Sequence, residues 1–87
     1  MRLDKYLKNS RIIKRRTVAK EVCDSGRVML NGRAAKAGSE VNAGDILTID
    51  LGVKVLEVKI LATPEVVKAN EAKDLYELIR EQNKDLA

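Results

Sequence analysis

Eighty-seven residues suffice for one domain with a thin core, since a chain this short buries only about 60–65% of its unfolded surface. Hydrophobic residues make up 45% of the chain, which argues against wholesale disorder, and no apolar run exceeds three residues, whereas a membrane-spanning helix needs about 20. The net charge is +4, and with one cysteine, Cys23, and no histidine there is no disulfide, no Cys/His zinc set and no Ser–His or Cys–His nucleophile pair to build.

Leu3, Tyr6 and Leu7 fall at i, i+3 and i+4, so the chain opens on a short helix with an apolar floor. Lys5 and Lys8 then project from its other face, with Arg2 on the flank. Charge interrupts this segment every second or third residue, unlike a signal peptide, and a cytoplasmic location is the expectation. Ser10–Arg16 reads as a connecting turn that carries Arg11, Lys14, Arg15 and Arg16. Thr17 is expected to cap a second helix whose apolar stripe is Val18, Ala19, Val22 and Cys23, with Gly26 ending it in the left-handed conformation. The period then changes. Arg27–Leu30 is strand-like, Asn31-Gly32 is a strong hairpin signal, and Arg33–Lys36 is the expected return strand. Further strands are expected at Ile46–Leu51 and around Leu56, Val58 and Ile60. Thr63-Pro64-Glu65 announces a last helix, with Ala72, Leu75, Tyr76 and Ile79 on its apolar face and Asn70 able to recap it. The tail after Asn83 is expected to fray.

Charge is unevenly spread along these elements. Residues 1–36 hold 11 Lys/Arg against 3 acids, whereas residues 37–87 hold 6 against 10. Four cations within six residues, Arg11 to Arg16, repel one another, a cost tolerated where an anion relieves it. A polyanion on the N-terminal half is therefore expected, rather than a merely solvated surface. Tyr6 and Tyr76 are the only aromatic residues, and both fall on apolar stripes. A single-strand binder needs rings on which bases stack. This chain is thus expected to read the shape and backbone of folded RNA.

The run Arg2-Leu3-Asp4-Lys5-Tyr6-Leu7, then Lys14 to Lys20, then Gly26-Arg27-Val28 with Leu30-Asn31-Gly32, and finally Gly44-Asp45, resembles the alpha-L RNA-binding motif, the family of protein four of the small ribosomal subunit. Its acidic, short tail is more similar to the free-standing ribosome-associated quality-control branch of Gram-positive bacteria than to the heat-shock branch with its longer basic tail. The resemblance implies a non-catalytic partner of the large ribosomal subunit that binds 23S ribosomal RNA and tRNA. It also implies work beside the alanine-tailing quality-control factor, holding peptidyl-tRNA in the P-site while a stalled chain is tailed. It implies RNA contact by Arg2 and Arg16, and residue chemistry agrees for Arg16, a planar guanidinium placed near the amino end of a helix.

The expected fold is α+β: two N-terminal helices on a small, mostly antiparallel sheet, plus a C-terminal helix. Residues 1–62 are expected to form the alpha-L type RNA-binding domain and 63–87 a C-terminal helical extension. The expected RNA-binding residues are Arg2, Lys5, Lys8, Arg11, Lys14, Arg15, Arg16 and Lys20, with Lys5, Lys8 and Lys20 equally at home as ordinary surface lysines. Asp4 is expected to orient a neighbouring cation, and Cys23 to be a small core residue. No catalytic residue, metal, cofactor or membrane partner is expected, and the chain is expected to be a monomer. The alternative reading is a ribosome-assembly factor or RNA chaperone on structured ribosomal RNA. An RNA-modifying enzyme would need far more chain than follows residue 50, and two helical turns are marginal for membrane insertion.

Overall fold

The computed structural model describes residues 1–84. In chain order it runs α1 (Leu3–Asn9), α2 (Arg16–Asp24), β1 (Val28–Leu30), β2 (Arg33–Ala34), β3 (Ile46–Asp50), β4 (Lys54–Ile60), a 3-10 helix (Ala69–Leu75) and β5 (Tyr76–Asn83). The fold is α+β, as expected from the change of hydrophobic period after Gly26.

In α1 the expected stripe is fully buried, with Leu3, Tyr6 and Leu7 all at 0% exposure. So short a helix leaves most of its amides without an internal partner. Here the loop after β2 supplies them: the Leu3 amide donates to the Ser39 carbonyl at 2.8 Å and the Asp4 amide to the Ala37 carbonyl at 3.1 Å. Ala35, Ala37 and Val41 of that loop are buried in the same core, so the chain leaves β2 after two residues instead of continuing to Lys36. The core claims those small side chains.

Helix α2 starts one turn-edge earlier than its sequence suggests. Arg15, extended at φ −114°, takes the cap position without a side-chain bond, and the Ala19 amide closes the first turn on the Arg15 carbonyl at 3.0 Å. Thr17 therefore lies inside the helix, and Arg16 is its first residue rather than the residue before it. Only Ala19 and Cys23 of the expected stripe are buried; Val22 is half-buried and Val18 is 41% exposed. The helix ends as expected: the Arg27 amide reaches the Val22 carbonyl and the Gly26 amide the Cys23 carbonyl, with Gly26 at φ +83°. That paired closure requires the left-handed conformation that glycine adopts without a Cβ penalty.

The sheet has the order β2-β1-β3-β4-β5, every neighbour antiparallel. Asn31 (φ 52°) and Gly32 (φ +83°) make the tight β1–β2 turn, both in the left-handed region a twisted hairpin needs. Asn31 has a second task, accepting from the Ile46 amide at 2.9 Å and donating to Asp45 at 3.1 Å, which stitches the turn to β3. Leu47 and Ile49 of β3 register against Val58 and Leu56 of β4, and this inward face shares one hydrophobic core with both helices.

The C-terminal region departs from expectation. A helix exists only as the short 3-10 segment Ala69–Leu75, with Lys68 rather than Thr63 or Asn70 at its cap position, the Lys68 amide donating to Glu71 Oε1 at 3.4 Å, and Ala72 and Leu75 buried. From Tyr76 (φ −146°, ψ 159°) the chain is extended, and β5 pairs with β4 from Ile60↔Tyr76 to Lys54↔Asn83 across one bulge. Without β5, the seven-residue strand β4 would present an open edge of unpaired backbone groups, which an eight-residue strand satisfies. That gain overrides the good helical propensity of Glu77–Gln82, which is rich in Glu, Leu, Arg and Gln. Lys84 is tied back by its amide to the Val53 carbonyl at 3.0 Å and by its ammonium to Asp50 at 2.7 Å. The remainder of the expected frayed tail, residues 85–87 of the extension, lies outside the described residues.

Candidate nucleic-acid interface

The buried carboxylate of Asp4 is the organising group of the basic half. Its Oδ1 accepts from Arg2 Nε at 3.1 Å and from the Lys5 amide at 2.8 Å; its Oδ2 accepts from Arg2 Nη2 at 3.3 Å and Arg16 Nε at 3.4 Å. Burial pushes this carboxyl upward, but the bonds from Arg2, Arg16 and the Lys5 amide outweigh it and hold the group below the usual carboxylate value. It therefore stays ionised and grips both arginines. Asp4 is 3% exposed as a side chain, whereas Arg2 and Arg16 are 53% and 49% exposed. One carboxylate inside thus holds two guanidiniums outside, and among the described residues the terminal nitrogens of Arg16 have no hydrogen-bond partner. Such planar, partly desolvated forks suit bidentate recognition of phosphate. Lys20 stands four residues after Arg16 on α2, hence on the same helical face, and is exposed.

A second group forms where α1 ends. Lys8, Arg11 and Lys14 line a concavity of about 100 Å³ together with Asn9, Val67 and Ala69. Among the described residues none of these three cations makes an ion pair with a carboxylate. Arg11 holds φ +60°, a left-handed backbone uncommon for a residue with a Cβ. The turn imposes it: the Arg11 amide donates to the Lys8 carbonyl at 3.0 Å, and the Ile13 amide to the Leu7 carbonyl at 3.1 Å as Ile13 enters the core.

The side chains of the two remaining expected residues, Lys5 and Arg15, belong neither to the Asp4 pair nor to the lining of the concavity. Lys5 turns toward the C-terminal segment and pairs with Glu65, holding that carboxyl below its usual value. Arg15 is exposed at the cap position of α2. None of the eight expected residues is buried. The sequence reading missed Glu65, Asn9, Val67 and Ala69, which shape the basic face from a distance; Asn9 Nδ2 donates to the Pro64 carbonyl at 3.4 Å, 55 positions away. Contacts of that separation leave no local pattern to find.

Among the described residues no group of three or more His, Cys, Asp or Glu could hold a metal ion. Cys23 is buried, and burial, then the nearby Asp4 and Asp24, push its thiol up to about 11, which keeps it protonated. No helix among the described residues is long and apolar enough to cross a membrane.

Residues 1–47 match the S4 domain. The chain is 54% identical over 82 residues to a protein of Halalkalibacterium halodurans named RQC P-site tRNA stabilizing factor, covering 94% of this chain and 93% of that one. It is 49% identical over 82 residues to the Bacillus subtilis protein of the same name, covering 94% and 95%. Among solved structures, heat shock protein 15 of Vibrio cholerae, described as trimeric, superposes with a TM-score of 0.83 at 32% identity, covering 90% of this chain and 80% of that one. Fold, motif order and near full-length identity agree, and the chain belongs to the S4-domain family, that of the alpha-L RNA-binding motif, in the same branch as the RQC P-site tRNA stabilizing factors.

Proposed function

We propose that this protein is a non-catalytic, cytoplasmic RNA-binding protein of the large ribosomal subunit. It contacts 23S ribosomal RNA and tRNA and steadies peptidyl-tRNA in the P-site during ribosome-associated quality control, beside the factor that tails stalled chains with alanine. The observation that carries this reading is the arginine pair on Asp4, two outward guanidiniums set by one buried anchor. The names of the relatives support the tRNA role. Aromatic placement supports a backbone reader: Tyr6 is fully buried and Tyr76 half-buried, so neither offers an open ring for base stacking.

The test is sedimentation of a lysate containing the tagged protein, followed by cryo-microscopy of the fraction that carries it. The expected result is co-migration with the large subunit, lost at raised salt, and a particle with tRNA in the P-site. A protein that stays at the top of the gradient overturns the reading. An immature particle without tRNA would instead favour the assembly-factor alternative.

A further inference from the structure

The concavity between α1 and the start of the 3-10 helix lies partly beyond the S4 match, which ends at residue 47. Its basic side is Lys8, Arg11 and Lys14; its other wall is Val67 and Ala69. That wall is held against α1 by two contacts, the Lys5–Glu65 ion pair and the bond from Asn9 to the Pro64 carbonyl. A bare S4 domain would have the cations without the wall.

Three features define what the site can take. Its volume of about 100 Å³ is well below the roughly 300–1,000 Å³ of a pocket for a whole small molecule, so it admits a group and not a nucleoside. Its three cations have no carboxylate partner among the described residues, so their mutual repulsion is left for an anion to relieve. The negative end of α1 would oppose an anion here, yet the carbonyls of Tyr6, Leu7 and Lys8, three of its last four, are already engaged. Tyr6 accepts from the Ser10 amide, Leu7 from the Ser10 hydroxyl and the Ile13 amide, and Lys8 from the Arg11 amide. The opposing charge is thereby blunted where the three side chains gather.

The geometry points to a phosphate-group subsite at Lys8, Arg11 and Lys14, walled by Val67 and Ala69, which receives a backbone phosphate of the bound RNA. It is separate from the Arg2–Asp4–Arg16 cluster. Its physiological occupant rests on the RNA-binding reading above; its chemistry does not. The segment leading into the 3-10 helix, with its first residue Ala69, then takes part directly in binding, and an RNA must present phosphates to both groups at once to be held fully.

The test uses the full chain and two probes, inorganic phosphate and a short RNA hairpin. In amide NMR spectra, phosphate added at constant ionic strength is expected to shift Val67, Ala69 and the Arg11–Lys14 turn, with chloride as the control. Ala69→Glu sets a carboxylate on the wall at an exposed position, and Ala69→Gln controls for size. Ala69→Glu is expected to abolish the phosphate shifts and weaken RNA binding about tenfold, with Ala69→Gln within about threefold of wild type. Should Ala69→Glu melt at room temperature, Lys14→Glu replaces it with the same expectation. Phosphate shifts no larger than those of chloride, or equal effects of the two Ala69 substitutions, overturn the subsite. Phosphate binding with RNA affinity untouched by Ala69→Glu means a free-phosphate site and overturns the RNA occupant. Failure of the wild type to bind any RNA sinks the parent reading, while the phosphate shifts still decide the subsite.

Discussion

The hydroxyl of Tyr6 donates to the carbonyl of Leu75 at 2.7 Å, joining the first helix to the last turn before β5 across 69 positions of sequence. The S4 match ends long before Leu75, so this bond fastens the C-terminal region to the part of the chain that carries the basic face. The same carbonyl also accepts from the Leu61 amide at 2.8 Å and the Ala62 amide at 3.3 Å. Tyr6→Phe therefore strands no acceptor, and the expected loss is about 1 kcal/mol in urea unfolding. Tyr6→Ala, which hollows a fully buried site, is expected to cost about 3–5 kcal/mol. RNA affinity of Tyr6→Phe should be unchanged. A marked fall would mean that this one hydroxyl bond helps to set the binding face.

Asp4→Asn separates two effects of opposite sign. It removes a negative charge from beneath an exposed basic surface, so Coulomb attraction alone would tighten RNA binding. It also removes the anchor that aligns two guanidinium forks, and this effect is expected to dominate, weakening RNA binding about 5- to 10-fold. Filter binding or anisotropy decides between them, and tighter binding would show that Asp4 does not orient the arginines.

The same carboxylate yields an acid signature. Its folded-state value is held below the ordinary 3.8, so its stabilisation is complete above the unfolded value and is lost as pH falls through the depressed one. Wild type should thus lose more stability than Asp4→Asn on going from about pH 5 to about pH 2. Asp50 and Glu65, also held low by Lys84 and Lys5 respectively, contribute equally to both proteins and cancel in the comparison.

Removing a partly exposed guanidinium should cost binding far more than stability. Arg16→Ala and Arg2→Ala are expected to lower RNA affinity about tenfold or more while moving Tm by no more than about 3 °C. Arg16→Lys should recover little, because an ammonium cannot reproduce the fork. With five to seven phosphates neutralised, log affinity against log salt should fall with a slope of about −4 to −6, and each alanine variant should flatten it by about 1. A large fall in Tm with an unchanged slope would mark these arginines as structural.

Cys23 is fully buried and its thiol is pushed up to about 11. Mass spectrometry after alkylation at about pH 8 is expected to show no adduct on the native protein and complete modification in urea. Rapid native labelling would indicate that α2 opens away from the sheet.

The sequence alone determined what is settled within a few residues along the chain. Leu3, Tyr6 and Leu7 mark a helix because neighbours at i, i+3 and i+4 share a face. Asn31 and Gly32 mark a turn because few other residues tolerate positive φ, and the excess of cations before residue 37 marks a basic half whatever the fold. The α+β class follows from the change of period after Gly26. Tertiary structure alone decided that Tyr76–Asn83 is a strand, since its local spacing suits a helix and only the open edge of β4, some twenty residues away, selects the extended form. It also decided that Lys5 turns to Glu65, that Arg2 and Arg16 meet on one carboxylate, and that Val67 and Ala69 face Lys8, Arg11 and Lys14. Each of these depends on backbone groups or charges brought together from distant positions, and long-range partners of that kind leave no periodicity behind.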